Sequence, residues 1–348
     1  MYCSGRLFRR NLALDGFRVC GRDYSPARYY VSESGLLMKE PTVTIIVPTY
    51  RRLHFLREAL ASALAQTYHD FELIVSDDSA SDEIAGYVDS LNDSRIRYRR
   101  NAKNLGIAMN NLAAFSEARG SYIASLHDDD VWESTFLETL VPILEADDEV
   151  SVVFCDHHLI DENGQLLSEQ SERFSRMFKR NQLRAGRYQP FIKQAVVDSV
   201  IPMVMTAIFR KSILEGAEYS SRVGGSYDYW LSYLAVKGGK AAYYIPQRLT
   251  RYRLHQEQGT VIRGVRNLRD SIYVRRKIMA SPEVMPYRSE LCNGLGVFYG
   301  KMALYYLSHH SFRRGGVFLK RAFSLLNRPK NILALAVNSI VVVCKGTK

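Results

Sequence analysis

No stretch of the chain reaches the roughly 20 consecutive apolar residues that a membrane-spanning helix requires. The longest such run, residues 332–344, contains Asn338 and Ser339. Cysteine is scarce, and its five positions, Cys3, Cys20, Cys155, Cys292 and Cys344, show no CxxC spacing. An odd, scattered set excludes a disulfide scaffold and a cysteine zinc site, and it suits a reducing, cytosolic setting. Proline is limited to 10 of 348 residues, which argues against low-complexity and collagen-like chains. There is no GxxxxGK[ST] and no GxGxxG after a strand, so ATPase and dinucleotide-dehydrogenase readings lack their phosphate cradles. Near the N-terminus, Asp15, Arg18, Arg22 and Asp23 interrupt any signal-peptide core, and we expect no export signal there.

What is present describes a globule: 47% of residues are hydrophobic, 11% aromatic and 24% charged. The net charge of +11 is unevenly distributed. Residues 261–348 carry 16 Lys and Arg against 3 Asp and Glu, leaving 31 against 33 for residues 1–260. A cationic C-terminal surface suits anionic lipid, nucleic acid or phosphorylated substrates, and charge alone does not choose among them. Residues 1–40 lack periodicity and are expected to form a loose extension. Pattern begins at Met38, where we expect translation to start. A main domain is expected over 41–260 and a basic helical region over 261–348.

From Thr42 short apolar runs alternate with helical periods, which predicts an α/β fold of mostly parallel strands joined by crossover helices. Strands are expected at 43–47 (ended by Pro48), 71–76, 96–99, 122–126 and 150–155. Helices are expected at 53–64, from Ser81 to about Leu91, from Gly106 to Ala118, and at 132–144. Polar residues gather just past the strand ends, at Thr49–Arg52, Asp77–Ser79 and Asp128–Asp130. Any one cluster reads as turn chemistry, since Asp, Ser and Asn dominate such loops. Three clusters on one edge point to a shared pocket, because open parallel sheets bind ligands at the carboxyl ends of their strands.

The Asp128–Asp130 triplet is the sharpest of these signals. Adjacent carboxylates repel one another unless solvent or a cation compensates them. Oxygen ligation suits Mg2+ or Mn2+, which complete their shells with water and substrate phosphates, and such a metal neutralises a departing diphosphate.

Taken together, Val43-Thr-Ile-Ile-Val-Pro-Thr-Tyr50, Phe71-Glu-Leu-Ile-Val-Ser-Asp-Asp-Ser79, Asn104-Leu-Gly106 and Leu126-His-Asp-Asp-Asp-Val-Trp132 resemble, in order and spacing, the family 2 glycosyltransferases of the GT-A fold. Weaker resemblance runs through Ala207–Lys211, Tyr227–Leu231 and Tyr244–His255, covering residues 42 to about 258. The resemblance implies a Rossmann-like GT-A sheet flanked by helices, and an inverting transfer from a nucleotide-diphosphate sugar, UDP-linked by expectation, to an acceptor hydroxyl. Surface polysaccharide or glycolipid assembly is the implied setting. It places Thr49, Tyr50, Arg51, Asp77, Lys103 and Gly106 at the nucleotide and Asp128 near the ribose. Asp129 falls on the usual metal position, with Asp130 and His255 as further metal candidates. The family motif reads Asp-x-Asp-Asp, and His127 stands at its first place here. Asp228 is the implied general base from a Glu-Asp pair, with Tyr227 in place of the Glu. Without the resemblance, a lone Asp before aromatic residues reads as a helix N-cap; as a base it would take the acceptor's proton opposite the leaving diphosphate.

His157 and His158, beside Asp156, read as strand residues and not as a second metal site, because neighbouring strand side chains face opposite ways. Beyond Val261, Leu304, Leu307, Phe318, Leu319, Phe323 and Leu326 recur at helical spacing among Arg313, Arg314, Lys320, Arg321 and Arg328. This predicts a basic amphipathic helical hairpin, suited either to the anionic inner face of a membrane, with 332–343 dipping into the interface, or to packing against the sheet or a second copy. A sugar-phosphate nucleotidyltransferase would want a Gly-rich loop after the first strand, which Thr49–Leu53 lacks. A non-catalytic sugar- or nucleic-acid-binding protein is supported only by the basic tail, and we expect no nucleic-acid partner.

Overall fold

The computed structural model describes residues 29–31, 37–218, 220–258 and 264–326. Most of the loose extension expected over residues 1–40, and the segment 332–343, lie outside them; the part of the extension that is described contains two short paired strands. Within Met1–Pro41, one compact unit, strands β1 (Tyr29–Val31) and β2 (Leu37–Lys39) pair antiparallel.

The second unit, Thr42–Lys348, is built on a mixed sheet. Four strands are parallel in the spatial order β5 (Ile96–Arg100), β4 (Phe71–Asp77), β3 (Val43–Thr49) and β6 (Tyr122–Ser125). Beyond β6, strand β10 (Ala207–Arg210) runs antiparallel between β6 and β8 (Val150–Ile160). Strand β11 (Ala241–Arg253) is parallel to β8, and it also pairs antiparallel with β7 (Val131–Trp132) and β9 (Gly186–Tyr188).

Every residue of β3 and β4 is buried, which is why both read as largely apolar, and their buried Thr44 and Glu72 satisfy each other at 2.8 Å. Successive side chains feed two separate cores. Ile45, Val47, Leu73 and Val75 pack with Leu56 and Leu60 of α1 (Leu53–Leu64) and with Leu137, Leu140 and Leu144 of α4 (Phe136–Ala146). Ile46 and Ile74 face α3 (Ile107–Glu117) through Ala114 and Phe115, and α6 (Tyr227–Val236) through Trp230 and Leu231. Each of these fully buried Leu and Ile side chains contributes about 1.5–3 kcal/mol relative to its exposed state.

Three sequence expectations shift. Strand β3 continues through Pro48 to Thr49, because β6 has ended by Ser125 and no neighbour requires the N–H that proline lacks. Helix α4 begins at Phe136 instead of Trp132. Trp132 pairs with Thr250, donates its backbone N–H to Ser62 Oγ at 3.2 Å, and donates its indole N–H to Met205 O at 2.8 Å, an arrangement that a helix start would forfeit. The C-terminal hairpin also forms, as α7 (Gly264–Ile278), α8 (Arg288–Ser308) and α9 (Phe312–Leu325), but Phe323 lies on the exposed face of α9 with Phe312 and Val317. Gly315, Phe318 and Ala322 instead face α8. Two further helices, α2 (Glu83–Ser90) and α5 (Ser168–Met177), follow β4 and β8, and no helix among the described residues is long and apolar enough to cross a membrane.

Candidate active site

The parallel strands place their polar ends side by side. Thr49 closes β3, Asp77 closes β4, Asn101–Gly106 follows β5, and Leu126–Asp130 follows β6. Between the first three lies a cavity of about 340 Å³ lined by Tyr50, Arg51, Asp78, Arg100, Asn101 and Lys103, among others. The Arg51 guanidinium lies 5.0 Å from the Tyr50 ring centre. An exposed aromatic ring flanked by Arg and Lys suits a base and its phosphates.

The acidic pair divides its work differently from the expectation. Asp77 is fully buried, accepting from Ser79 N and Oγ on one oxygen and from Tyr98 Oη at 2.8 Å on the other. Asp78 lines the cavity and gathers the next loop, taking Leu105 N at 2.8 Å, Gly106 N at 2.8 Å and Asn101 Nδ2 at 3.0 Å. Gly106 stands at φ +79°, where a side chain would strain the backbone, so its N–H can turn onto Asp78.

The triplet is where charge concentrates. Asp128 is buried and accepts from Thr49 Oγ1 at 2.9 Å, from Tyr50 N at 3.3 Å and from the Arg52 guanidinium. Arg52 also reaches Asp129 Oδ2 at 2.6 Å, and His255 Nε2 approaches that same oxygen to 3.0 Å. Burial alone would raise the Asp129 pKa, but the His255 hydrogen bond and the Arg52 and His127 charges outweigh it and hold the carboxyl at about 2. Asp130 is pushed up to about 6 by burial and by the Asp129 charge, against the pull of His127. Its Oδ1 takes Arg253 N at 3.0 Å, while its Oδ2 lies 3.3 Å from His127 Nδ1. Burial would lower the pKa of His127, yet its bond to Asp130 and the surrounding carboxylates raise it to about 9.

A divalent cation fits here. Donor atoms of His127, Asp129 and Asp130 lie within 4.8 Å of one another, the only such group among the described residues. Two of the three donors are hard oxygens, and His127 Nδ1, 3.3 Å from Asp130 Oδ2, braces the second of them. His255, the expected third ligand, reaches the group through Asp129 and leaves its Nδ1 buried without a hydrogen bond.

Asp228 enters from elsewhere in the chain. It lies in the first turn of α6, partly exposed, with Oδ1 accepting Val204 N at 2.8 Å. Burial raises its pKa against the pull of His127 and of that N–H, which makes it a stronger base. The preceding residue, Tyr227, hydrogen-bonds His127 Nε2 across the cleft. The turn that delivers α6 depends on Gly224 at φ +47°, ψ −131°, where an added Cβ would meet the Asp270 carboxylate of α7 at 2.0 Å, and Gly225 N donates to that carboxylate at 2.9 Å. Gly224→Ala is therefore expected to cost about 1–3 kcal/mol of stability, measured by denaturant unfolding, and to lower turnover with it.

Sequence reasoning placed Arg52 and Asp78 inside polar clusters without giving either a role, and it missed the His127–Tyr227 contact. Arg52 and Asp78 each adjoin a residue that was named, so their signal was proximity. His157, on β8, is buried, its Nδ1 accepting from Arg180 at 2.6 Å.

The family model "Glycosyl transferase family 2" matches residues 44–212. The chain is 30% identical over 145 residues to an Escherichia coli UDP-Glc:alpha-D-GlcNAc-diphosphoundecaprenol beta-1,3-glucosyltransferase, covering 41% of this chain and 57% of that protein. It is 28% identical over 235 residues to a Campylobacter jejuni GalNAc(5)-diNAcBac-PP-undecaprenol beta-1,3-glucosyltransferase, covering 65% and 69%. An uncharacterized Rickettsia typhi glycosyltransferase is 27% identical, and this chain spans 66% of its length. The chain thus spans less than two thirds of several relatives. Among solved structures, Staphylococcus aureus TarS 1–349 with UDP-GlcNAc superposes with TM-score 0.56 at 13% identity, covering 82% of this chain and 93% of that one. A Pyrobaculum calidifontis mannosyltransferase in complex with GDP-Man and Mn2+ gives 0.54 at 18%, covering 88% and 81%. At these identities the likeness is one of fold.

Proposed function

Since the chain belongs to glycosyl transferase family 2, we propose that it moves a sugar from a UDP-sugar to an acceptor hydroxyl with inversion at the anomeric carbon. The observation that carries this reading is the convergence on one cleft of Asp129 and Asp130 from the end of β6 and Asp228 from the start of α6, about a hundred residues apart in sequence. Tyr50, Arg51 and Lys103 hold the nucleotide, and Asp129 and Asp130, with His255 behind Asp129, would hold Mg2+ or Mn2+. When bound, that cation offsets the charge of the departing diphosphate. Asp228 takes the acceptor hydroxyl's proton as the oxygen bonds to the anomeric carbon. The bond from that carbon to the diphosphate breaks, and its electron pair leaves with UDP.

The named relatives act on undecaprenol-linked diphosphate acceptors, which supports a lipid-linked acceptor for surface polysaccharide or glycolipid assembly, reached from the cytoplasmic face. Helix α9 offers a means of reaching it. Phe312, Val317 and Phe323 are exposed beside Arg313, Arg314 and Lys320, and no acidic residue follows Glu290. Such a face suits an anionic bilayer surface. Flotation with phosphatidylglycerol vesicles should succeed at low salt, and retention in high salt would indicate insertion in addition to charge.

Calorimetric titration with UDP, with and without Mn2+, tests the central reading. Metal-dependent UDP binding is the expected result; dominant nucleic-acid binding that ignores UDP would replace the reading with a binding protein. A screen of nucleotide sugars for release of free nucleotide would then identify the donor.

A further inference from the structure

This chain departs from the family pattern at His127 and at Tyr227, and those two residues meet. They are 100 positions apart, yet His127 Nε2 and the Tyr227 hydroxyl share a hydrogen bond, with ring centres 5.9 Å apart. Two carboxylates facing each other at this point would repel, and they would do so beside the Asp128–Asp130 triplet. An imidazole and a phenol instead bond in either protonation state: neutral imidazole accepts the phenol's proton, and imidazolium donates to its oxygen.

We propose that the His127–Tyr227 pair positions Asp228, fixing the first turn of α6 against the end of β6 so that the base faces the cation-binding carboxylates. The inference rests on Asp228 being the base. Tyr227 is the first residue of α6 and only 3% exposed, so its ring is held by the core while its hydroxyl reaches the β6 end. On its other side, the His127 ring has Nδ1 3.3 Å from Asp130 Oδ2, which braces the imidazole against the triplet. Among the described residues, the Asp228 carboxylate is otherwise held by Val204 N–H, which fixes one oxygen but does not by itself set how the first turn of α6 meets β6. Tyr227 and His127 supply that approach. They are positioning residues, and neither needs to touch the reacting atoms.

The test compares Tyr227→Phe, His127→Ala, His127→Gln and the double variant Tyr227→Phe/His127→Ala in the full-length protein. Hydrogen exchange is read on peptides covering 220–232, UDP affinity by calorimetry with Mn2+, and turnover as nucleotide release from a panel of UDP- and GDP-sugars. Tyr227→Phe keeps the buried ring and removes only the hydroxyl. It is expected to speed exchange in the first turn of α6 about tenfold and to cut kcat about 10- to 100-fold, with UDP affinity and donor KM within about twofold of the parent. His127→Ala should do the same, the double variant should be no worse than the worse single, and His127→Gln, whose amide can stand near Nε2, should recover part of the loss. Unchanged exchange in Tyr227→Phe would overturn the proposal, as would loss of UDP affinity in step with turnover or full additivity in the double variant. Asp228→Asn separates the two levels: if it turns over normally, the base assignment fails whatever the exchange data report.

Discussion

Asp228→Asn is expected to lower kcat by about 10²–10⁴-fold, the range that a positioned general base contributes, while UDP binds with unchanged affinity in the presence of Mn2+. The substitution is nearly isosteric, and the Asn side-chain oxygen can still accept Val204 N–H, which the carboxylate takes at 2.8 Å. The start of α6 should therefore remain in place, and what is lost is the ability to take a proton. Single-turnover measurements beside UDP calorimetry provide the check. Turnover within tenfold of the parent would remove Asp228 from the chemistry.

Asp129→Ala is expected to produce the complementary result, in which Mn2+ and UDP affinities fall together by at least about 100-fold. Even outer-shell partners of a metal cost 10–100-fold when removed, and Asp129 provides the one oxygen on which Arg52 and His255 both converge. Its low pKa keeps it charged wherever the protein is folded near neutrality, so the loss should not vary with pH between about 6 and 8. Without Asp129, Arg52 keeps Asp128, His255 loses its acid partner, and Asp130 retains only His127 and Arg253 N–H. Metal titration followed by UDP titration measures both losses. If Asp228→Asn and Asp129→Ala weakened UDP binding equally, the division into a base and a cation-binding group would be misassigned.

Much of the site was legible because parallel strands deliver their loops to one edge. Once 43–47, 71–76 and 122–126 read as parallel strands, Thr49, Tyr50, Arg51, Asp128 and Asp129 had to share that edge. Which member of an adjacent pair faces the ligand was not legible. Asp77 and Asp78 are chemically identical, and only the hydrogen bonds from Tyr98 and from Leu105 and Gly106 show that the first is consumed inside the fold while the second lines the cavity. Arg52 was hidden for a related reason, since a basic residue opening an amphipathic helix reads as a solvated flank until the carboxylates it meets are known.

The order of apolar runs determined the α/β architecture by itself, because a strand buried on both faces and a helix striped on one leave different periods in the chain. Tertiary structure alone decided that β10 enters antiparallel between β6 and β8, that Phe323 faces outward on α9, and that His127 meets Tyr227. The first and third of those outcomes are contacts between segments far apart in sequence, and the second follows from which face of α9 packs on α8. Local periodicity records which side of an element seeks cover, and it carries no information about which distant side chain supplies it.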